Sequence, residues 1–252
     1  MERIKILKMG VHVVSIKEVV DWIFEKVKKD KKGRYICVSN VHMCMEVFDS
    51  TSFSEVVNSA DLVIPDGRPL IWAQRLLGYK NASQTRGQDV MLALCNKSGK
   101  ESIRLGFYGG SEKTLNKMIA VLQSSYPDIL ITYLYSPPFR QLSVPETVEI
   151  SSNINKAAVD VLFVGLGCPK QEKWMYDHKV KLNCVMLGVG AAFDFVAGDK
   201  RHAPKFLQVI GLEWFFRLLS EPRRLWKRYV YHNPRFLYHF IKQLLHAKFN
   251  KM

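Results

Sequence analysis

Val161-Leu162-Phe163-Val164-Gly165-Leu166-Gly167-Cys168-Pro169-Lys170-Gln171-Glu172-Lys173-Trp174 passes from an unbroken apolar run through glycines into a helical pattern. A short apolar run without polar alternation, followed at once by a helix, is how a strand reads when a parallel sheet is covered on both faces. The same unit recurs on either side of this stretch. Strands are expected over 35–39, 62–65, 103–108, 129–134, 161–165 and 184–187. Helices are expected over about 111–125, 145–156 and 169–179, by their apolar period. Ser15 with Glu18 forms a capping box before Val19, Val20, Ile23, Phe24 and Val27, and Ser52 with Glu55 repeats the device. The fold class is therefore α/β, a Rossmann-like parallel sheet flanked by helices.

Past about Asp199 no further strand pattern occurs, and aromatic and basic helical segments take over. Gly211 to Ser220 reads as one helix, Pro222 opens a second, and Asn233-Pro234 supplies the N-cap and first position of a third. The division expected is an α/β catalytic core over 1–199 and a helical, basic and aromatic appendage over 200–252. Charge divides the same way. The last 53 residues hold twelve basic and two acidic side chains, +10 of the chain's formal +14, so the tail seeks an anionic partner.

At 252 residues and 48% hydrophobic, the chain has ample material for a core, which excludes disorder. Its five cysteines form no C-x-x-C pair and read as reduced core residues of a cytosolic protein. The N-terminus reads as neither signal nor transit peptide, and no apolar run reaches the roughly 20 residues needed to span a bilayer. A cytoplasmic location, peripheral on the inner face of the plasma membrane, is the expectation.

In an open parallel sheet the ligand lies beyond the carboxyl ends of the strands, where this chain is polar or glycine-rich. Asp66, in Ile64-Pro65-Asp66-Gly67, has the position of a general base, although Pro-Asp-Gly is also an ordinary turn. Gly109, Gly110 and Ser111 join a strand to a helix whose amino end can cradle a diphosphate; the glycines also suit a turn with no ligand. Gly165-Leu166-Gly167 and Gly188-Val189-Gly190 each lack the third glycine and distal acid of a dinucleotide fingerprint, so a nicotinamide is not expected. No D-x-D and no histidine pair at metal spacing occurs, so neither metal nor cofactor is expected, and a bound diphosphate would be met by Arg, Lys and backbone amides. Arg217, Arg224 and Arg228, at spacings of seven and four, share one face if they share a helix, beside Leu218, Leu225 and Tyr229. That face suits phosphate oxygens, and Trp214, Trp226, Phe236 and Tyr238 suit a lipid headgroup region; the alternative is a solvated basic face over a packed aromatic one. Nucleic-acid binding is a further reading of so basic a tail, opposed by aromatics that cluster with aliphatics rather than among the cations.

Taken in order, Ser39-Asn40-Val41-His42, Pro65-Asp66-Gly67, Gly106-Phe107-Tyr108-Gly109-Gly110, Gly165 to Trp174, Gly188 to Gly198, Arg201-His202-Ala203-Pro204 and Gly211 to Leu225 resemble the WecG/TagA/CpsF family of bacterial glycosyltransferases over nearly the whole chain. The resemblance implies an inverting, metal-independent transferase. Its donor would be a UDP-sugar carrying N-acetylmannosamine, its uronic acid or another hexose. Its acceptor would be a sugar on a polyprenyl diphosphate, in cell-surface polysaccharide or teichoic acid synthesis. By resemblance, Asp66 is the base, Asn40 and Gln171 belong to the pocket, and Arg217 and Arg224 belong to an appendage that meets the lipid diphosphate at an anionic membrane surface; Ser39, beside Asn40, and Arg228, by its helical spacing from the other two arginines, are further substrate-binding candidates. Two positions depart from the family. Val38 stands where threonine is frequent, and Gln84 stands where an arginine is common, the arginine being displaced to Arg86. A non-catalytic regulator binding UDP or a lipid diphosphate is the alternative of a different class, and a homo-oligomer is compatible with the sequence.

Overall fold

Six parallel strands build the central sheet in the computed structural model, which describes residues 1–204, 206–207 and 211–249. In chain order they are β3 (Arg34–Ser39), β4 (Leu62–Pro65), β5 (Leu105–Gly109), β6 (Ile131–Tyr135), β7 (Val161–Gly165) and β8 (Val185–Gly188), and across the sheet they run β4-β3-β8-β7-β5-β6. Each lies within two residues of its expected place. Before them, β1 (Arg3–Ile6) and β2 (Met9–His12) pair as an antiparallel hairpin. Sequence reasoning missed this hairpin because Lys8 and Gly10 interrupt a run too short to show a period.

Strand side chains alternate between two apolar layers. Tyr35 and Cys37 enter one core and Ile36 and Val38 the other, so both faces of β3 are dry. Burial on both faces explains why the strands are continuous in apolar residues instead of alternating. On the first face lie α2 (Val41–Asp49), α3 (Thr51–Asn58), α7 (Val144–Lys156) and α8 (Lys170–His178). On the second lie α1 (Ile16–Lys29), α5 (Gly87–Glu101), α6 (Glu112–Ser125) and the short α9 (Ala192–Val196), while α4 (Arg68–Leu76) leaves the end of β4. The chain exits β3 to the first face, β8 to the second, β7 to the first and β5 to the second. Neighbouring parallel strands that part in this way open a crevice at their carboxyl ends.

The capping box of Ser15 and Glu18 forms as expected. The second does not: Ser50, not Ser52, caps α3, its Oγ accepting from the Phe53 amide at 3.2 Å. The chain leaves α2 at Ser50, so that residue alone has the extended backbone a cap requires.

Two helices close the chain, α10 (Glu213–Ser220) and α11 (Pro222–Phe249). No new helix starts at Asn233-Pro234, because Pro234 sits inside α11. A proline there removes one helical hydrogen bond. Burial on both sides of it offsets the loss: Leu225, His232, Phe236 and Phe240 recur at seven, four and four, and all are buried. Phe236 and Phe240 enter the first core layer, Arg235 forks onto Asp49 of α2 at 2.6 and 2.8 Å, and Gln243 accepts from the Leu7 amide at 2.8 Å. The helix break at Glu221 separates Arg217, on α10, from Arg224 and Arg228, on α11, so the three do not share a helix face. Lys205, Ile210 and Lys251 lie outside the described residues.

Candidate active site

Asp66 directly follows the edge strand β4, at the carboxyl ends of the sheet. Its amide donates to the Ser39 carbonyl at 2.8 Å, and its own carbonyl accepts from Gln84 Nε2 at 2.6 Å. The carboxylate is half-buried and faces Arg86 from the core and Glu213 and Arg217 from α10. Burial, helped by Glu213, lifts its pKa to about 6 against the pull of Arg217 and Arg86. A carboxylate so tuned is ionised at neutral pH yet basic enough to accept a proton. The displaced Arg86 therefore still reaches this acid. Its Nη2 lies 3.3 Å from Glu213 Oε2, tying the first turn of α10 to the sheet.

Asn40 caps α2, its Oδ1 accepting from the Met43 amide at 3.2 Å and from Arg228 Nη2 at 3.1 Å. Gly67 packs against it so closely that a Cβ there would lie 3.3 Å from Asn40 Cβ. Asn40 thereby links the residue after Asp66 to Arg228, joining the sheet edge to the terminal helix. Ser39 is different. Its hydroxyl is fully buried and donates to the Ile64 carbonyl at 2.8 Å, bracing β3 against β4 rather than facing the crevice.

The three arginines converge from two helices. Burial holds the Arg228 guanidinium below its usual range, and Arg217 and Arg224 act in the same direction. Arg217 stacks on Phe195, and the Nε atoms of Arg68, Arg217 and Arg228 are buried without a partner. Arg224 is half-exposed and forks onto Glu221 at 2.7 and 2.8 Å. Crowded, desolvated guanidiniums with orphaned donors are unfavourable alone and become favourable against a multivalent oxyanion. Beside them opens a recess of about 410 Å³ lined by His42, Arg224, Leu225, Lys227, Arg228, Tyr231 and His232.

At the other end of the crevice, Gly109 and Gly110 take positive φ of 121° and 70°, and Ser111 caps α6, its Oγ accepting from the Thr114 amide at 3.1 Å. Strand order sets these residues apart from Asp66. From β4 to β5 is four strand spacings, roughly 19 Å, several times the length of a diphosphate. A UDP-sugar with its phosphates at Gly109–Ser111 would have to extend along the strand ends to bring its sugar to Asp66. Across the middle, Gln171 Oε1 accepts from the amides of Gly167 and Gly190, each at 3.1 Å, while its Nε2 donates to Glu172 Oε1 at 2.8 Å. Gln171 is a brace between the loops after β7 and β8. Burial raises Glu172 to about 7, so it stands near the midpoint of its titration at neutral pH.

The recurrence of His232, His239 and His246 every seven residues reads from sequence as incidental, and sequence reasoning gave no role to Glu213, Glu172, Arg68 or His42. It also found no histidine spacing for a metal, yet the fold gathers His42, Glu46 and His232 with their ligand atoms within 4.8 Å of one another. His42 and Glu46 share one face of α2, a signal visible at i, i+4; the third member comes from α11 and no local spacing shows it.

Residues 4–250 match the model of the "Glycosyl transferase WecG/TagA/CpsF family". Two relatives are both named N-acetylglucosaminyldiphosphoundecaprenol N-acetyl-beta-D-mannosaminyltransferase. The one from Bacillus spizizenii is 30% identical over 78% of this chain and 75% of its own length. The one from Bacillus subtilis is 27% identical over 85% of this chain and 82% of its own length. The chain belongs to the WecG/TagA/CpsF glycosyltransferase family.

Proposed function

From that membership we propose that this glycosyltransferase moves N-acetylmannosamine or a related hexose onto a sugar carried by a polyprenyl diphosphate, as the names of its relatives suggest, and that the donor is a UDP-sugar whose anomeric carbon is inverted. Asp66 is the general base. Its carboxylate takes the proton of the acceptor hydroxyl while that oxygen bonds to the anomeric carbon and the bond from that carbon to the donor diphosphate breaks. UDP leaves with the bonding pair, and no covalent enzyme intermediate forms. The observation that carries this reading is the half-buried carboxylate of Asp66, lifted to about 6 and faced by Arg86 and Arg217.

The diphosphates are met by cations, without a metal on the donor. Arg217 and Arg228, with Arg86 beside them, stabilise the leaving charge in a site where solvent screening is low. Spacing across the sheet supports seating the donor phosphates toward β3 and β8 and leaving Gly109, Gly110 and Ser111 for the nucleoside end. Arg224, at the rim, and the recess beside it suit the acceptor's diphosphate. Ser39 serves by bracing β3 against β4, and Gln171 by holding the loops after β7 and β8 in place.

Residues 200–252 act as the membrane-facing unit. No described helix is long and apolar enough to cross a bilayer. The outward face of α11 nevertheless exposes Trp226, Val230, Leu237, Tyr238, Ile241 and Leu245 in a helical stripe opposite the face packed on α2. Flanked by Lys227 and Lys242, that stripe supports peripheral docking on the anionic cytoplasmic leaflet, where nucleotide sugars and the lipid acceptor meet.

The deciding experiment offers UDP-sugars, with UDP-N-acetylmannosamine first, together with synthetic polyprenyl diphosphates ending in N-acetylglucosamine or glucose. Product with a single inverted linkage is expected. Binding of UDP with no transfer to any acceptor in the panel would instead identify a regulator.

A further inference from the structure

His42, Glu46 and His232 form the one group of at least three His, Cys, Asp or Glu side chains among the described residues able to share an ion. Glu46 Oε1 lies 3.8 Å from His42 Nδ1 and 3.8 Å from His232 Nε2. Those distances are too long for hydrogen bonds and too short for independent solvation. His42 Nδ1 is buried with no hydrogen-bond partner, 3.8 Å from the Glu46 carboxylate. A buried imidazole nitrogen without a partner, facing a carboxylate oxygen that a second imidazole nitrogen also approaches, is the arrangement of a set of metal ligands.

We propose that His42, Glu46 and His232 bind one borderline divalent metal ion, of the zinc, cobalt or nickel class, which staples α11 to α2. Three ligands about 2.0–2.2 Å from zinc stand roughly 3.4 Å apart in a tetrahedron, so the side chains contract by about 0.4 to about 1.4 Å. Rotamer adjustment achieves this without moving either helix. Two imidazoles and one carboxylate favour such a metal over magnesium or calcium, which take oxygen ligands. The adjacent Arg228 and Arg235 sharpen that preference, since one carboxylate among cations holds a hard ion poorly. The fourth position faces the recess, which His42 and His232 also line. There water or an anionic oxygen completes the shell.

The site joins residues about 190 apart in sequence, so occupancy stabilises the docked position of α11 in proportion to metal concentration. It adds no step to the transfer chemistry, and it stands or falls independently of the proposed reaction.

The test uses the tag-free full chain, stripped with chelator and titrated with zinc chloride by calorimetry, with cobalt as a spectroscopic probe. One zinc per chain is expected, with a thermal midpoint that rises with zinc but not with magnesium. Bound cobalt should show the intense visible bands of a four-coordinate site. Glu46→Gln and His232→Gln should each weaken binding by more than the roughly 10–100-fold that loss of an outer-shell partner costs. His239→Gln, one heptad along α11, should leave it unchanged. Should either ligand variant fail to fold, the unmodified chain still decides: zinc must protect His42 and His232, but not His239, from diethyl pyrocarbonate. Absence of stoichiometric binding, binding unaffected by His232→Gln, or equal protection of all three histidines overturns the proposal.

Discussion

Replacing Asp66 with asparagine should make the protein a far poorer catalyst and a more stable fold, and both effects follow from one number. Burial with Glu213 lifts this acid from 3.8 to about 6, so at pH 7 the folded state holds a carboxylate in surroundings that prefer the acid. A gap of about two pK units is worth up to about 3 kcal/mol. The sign follows from proton linkage. A group whose folded pKa is raised contributes stability below its unfolded pKa, and that contribution is lost as pH climbs from about 4 through about 6. Asp66→Asn removes the titration while keeping the shape. The variant should therefore unfold at a temperature higher by about 5–10 °C at pH 7. The advantage should be nearly gone by about pH 3, where the native aspartate is largely neutral in both states. Transfer should fall by about two to four orders of magnitude. In the native enzyme kcat/KM should decline below about pH 6, a limb absent from the variant's residual activity. Scanning calorimetry at both pH values and labelled-sugar transfer make the measurement. Near-normal turnover in the variant removes Asp66 from the mechanism. A variant no more stable at pH 7 than the native protein refutes the electrostatic account of its pKa.

Arg228→Met keeps the stem of a half-buried arginine and removes its charge, so the fold should hold while kcat/KM falls about 10–100-fold, the worth of one or two charge-assisted hydrogen bonds; unchanged kinetics would exclude Arg228 from diphosphate binding. Gly109→Ala would place a Cβ 2.6 Å from the Gly165 carbonyl at a φ of 121°, and should cost about 2 kcal/mol or more in denaturant titration, with no loss if the loop relaxes freely. Trp226→Glu combined with Leu237→Glu alters only outward side chains of α11; sedimentation with anionic liposomes should be abolished while the melting profile and UDP binding persist, and retained sedimentation would move the membrane contact elsewhere.

Much of this architecture is readable before any coordinates because burial on both faces leaves a plain mark. Val161 to Gly165 and Leu62 to Pro65 are uninterrupted apolar runs, and each is a strand to its last residue. Asp66 was legible for the related reason that a strand ending in a parallel sheet points its next residue at the crevice. Other features were hidden by physics that acts at long range. The helix through Pro234 persists because Phe236 and Phe240 are buried on the first core layer, a gain no local propensity records. Arg217 appeared to share a face with Arg224 because spacing alone is blind to the break at Glu221. The separation of Gly109 from Asp66 depends on strand order, since β3, β8 and β7 lie between β4 and β5, and chain order does not disclose it. His232 was invisible for the same reason, its companions being on a helix near the other end of the chain.

Gln171 has a mechanical consequence. One amide oxygen fastened to both Gly167 and Gly190 yokes two loops that would otherwise swing separately, and Glu172 stops the amide from turning over. That half of the cleft works like the fixed jaw of a vice. Accommodation to different donors and acceptors then falls to the opposite jaw, so changes of sugar preference should be sought on α10 and the first turns of α11 before they are sought beneath the glycine loops.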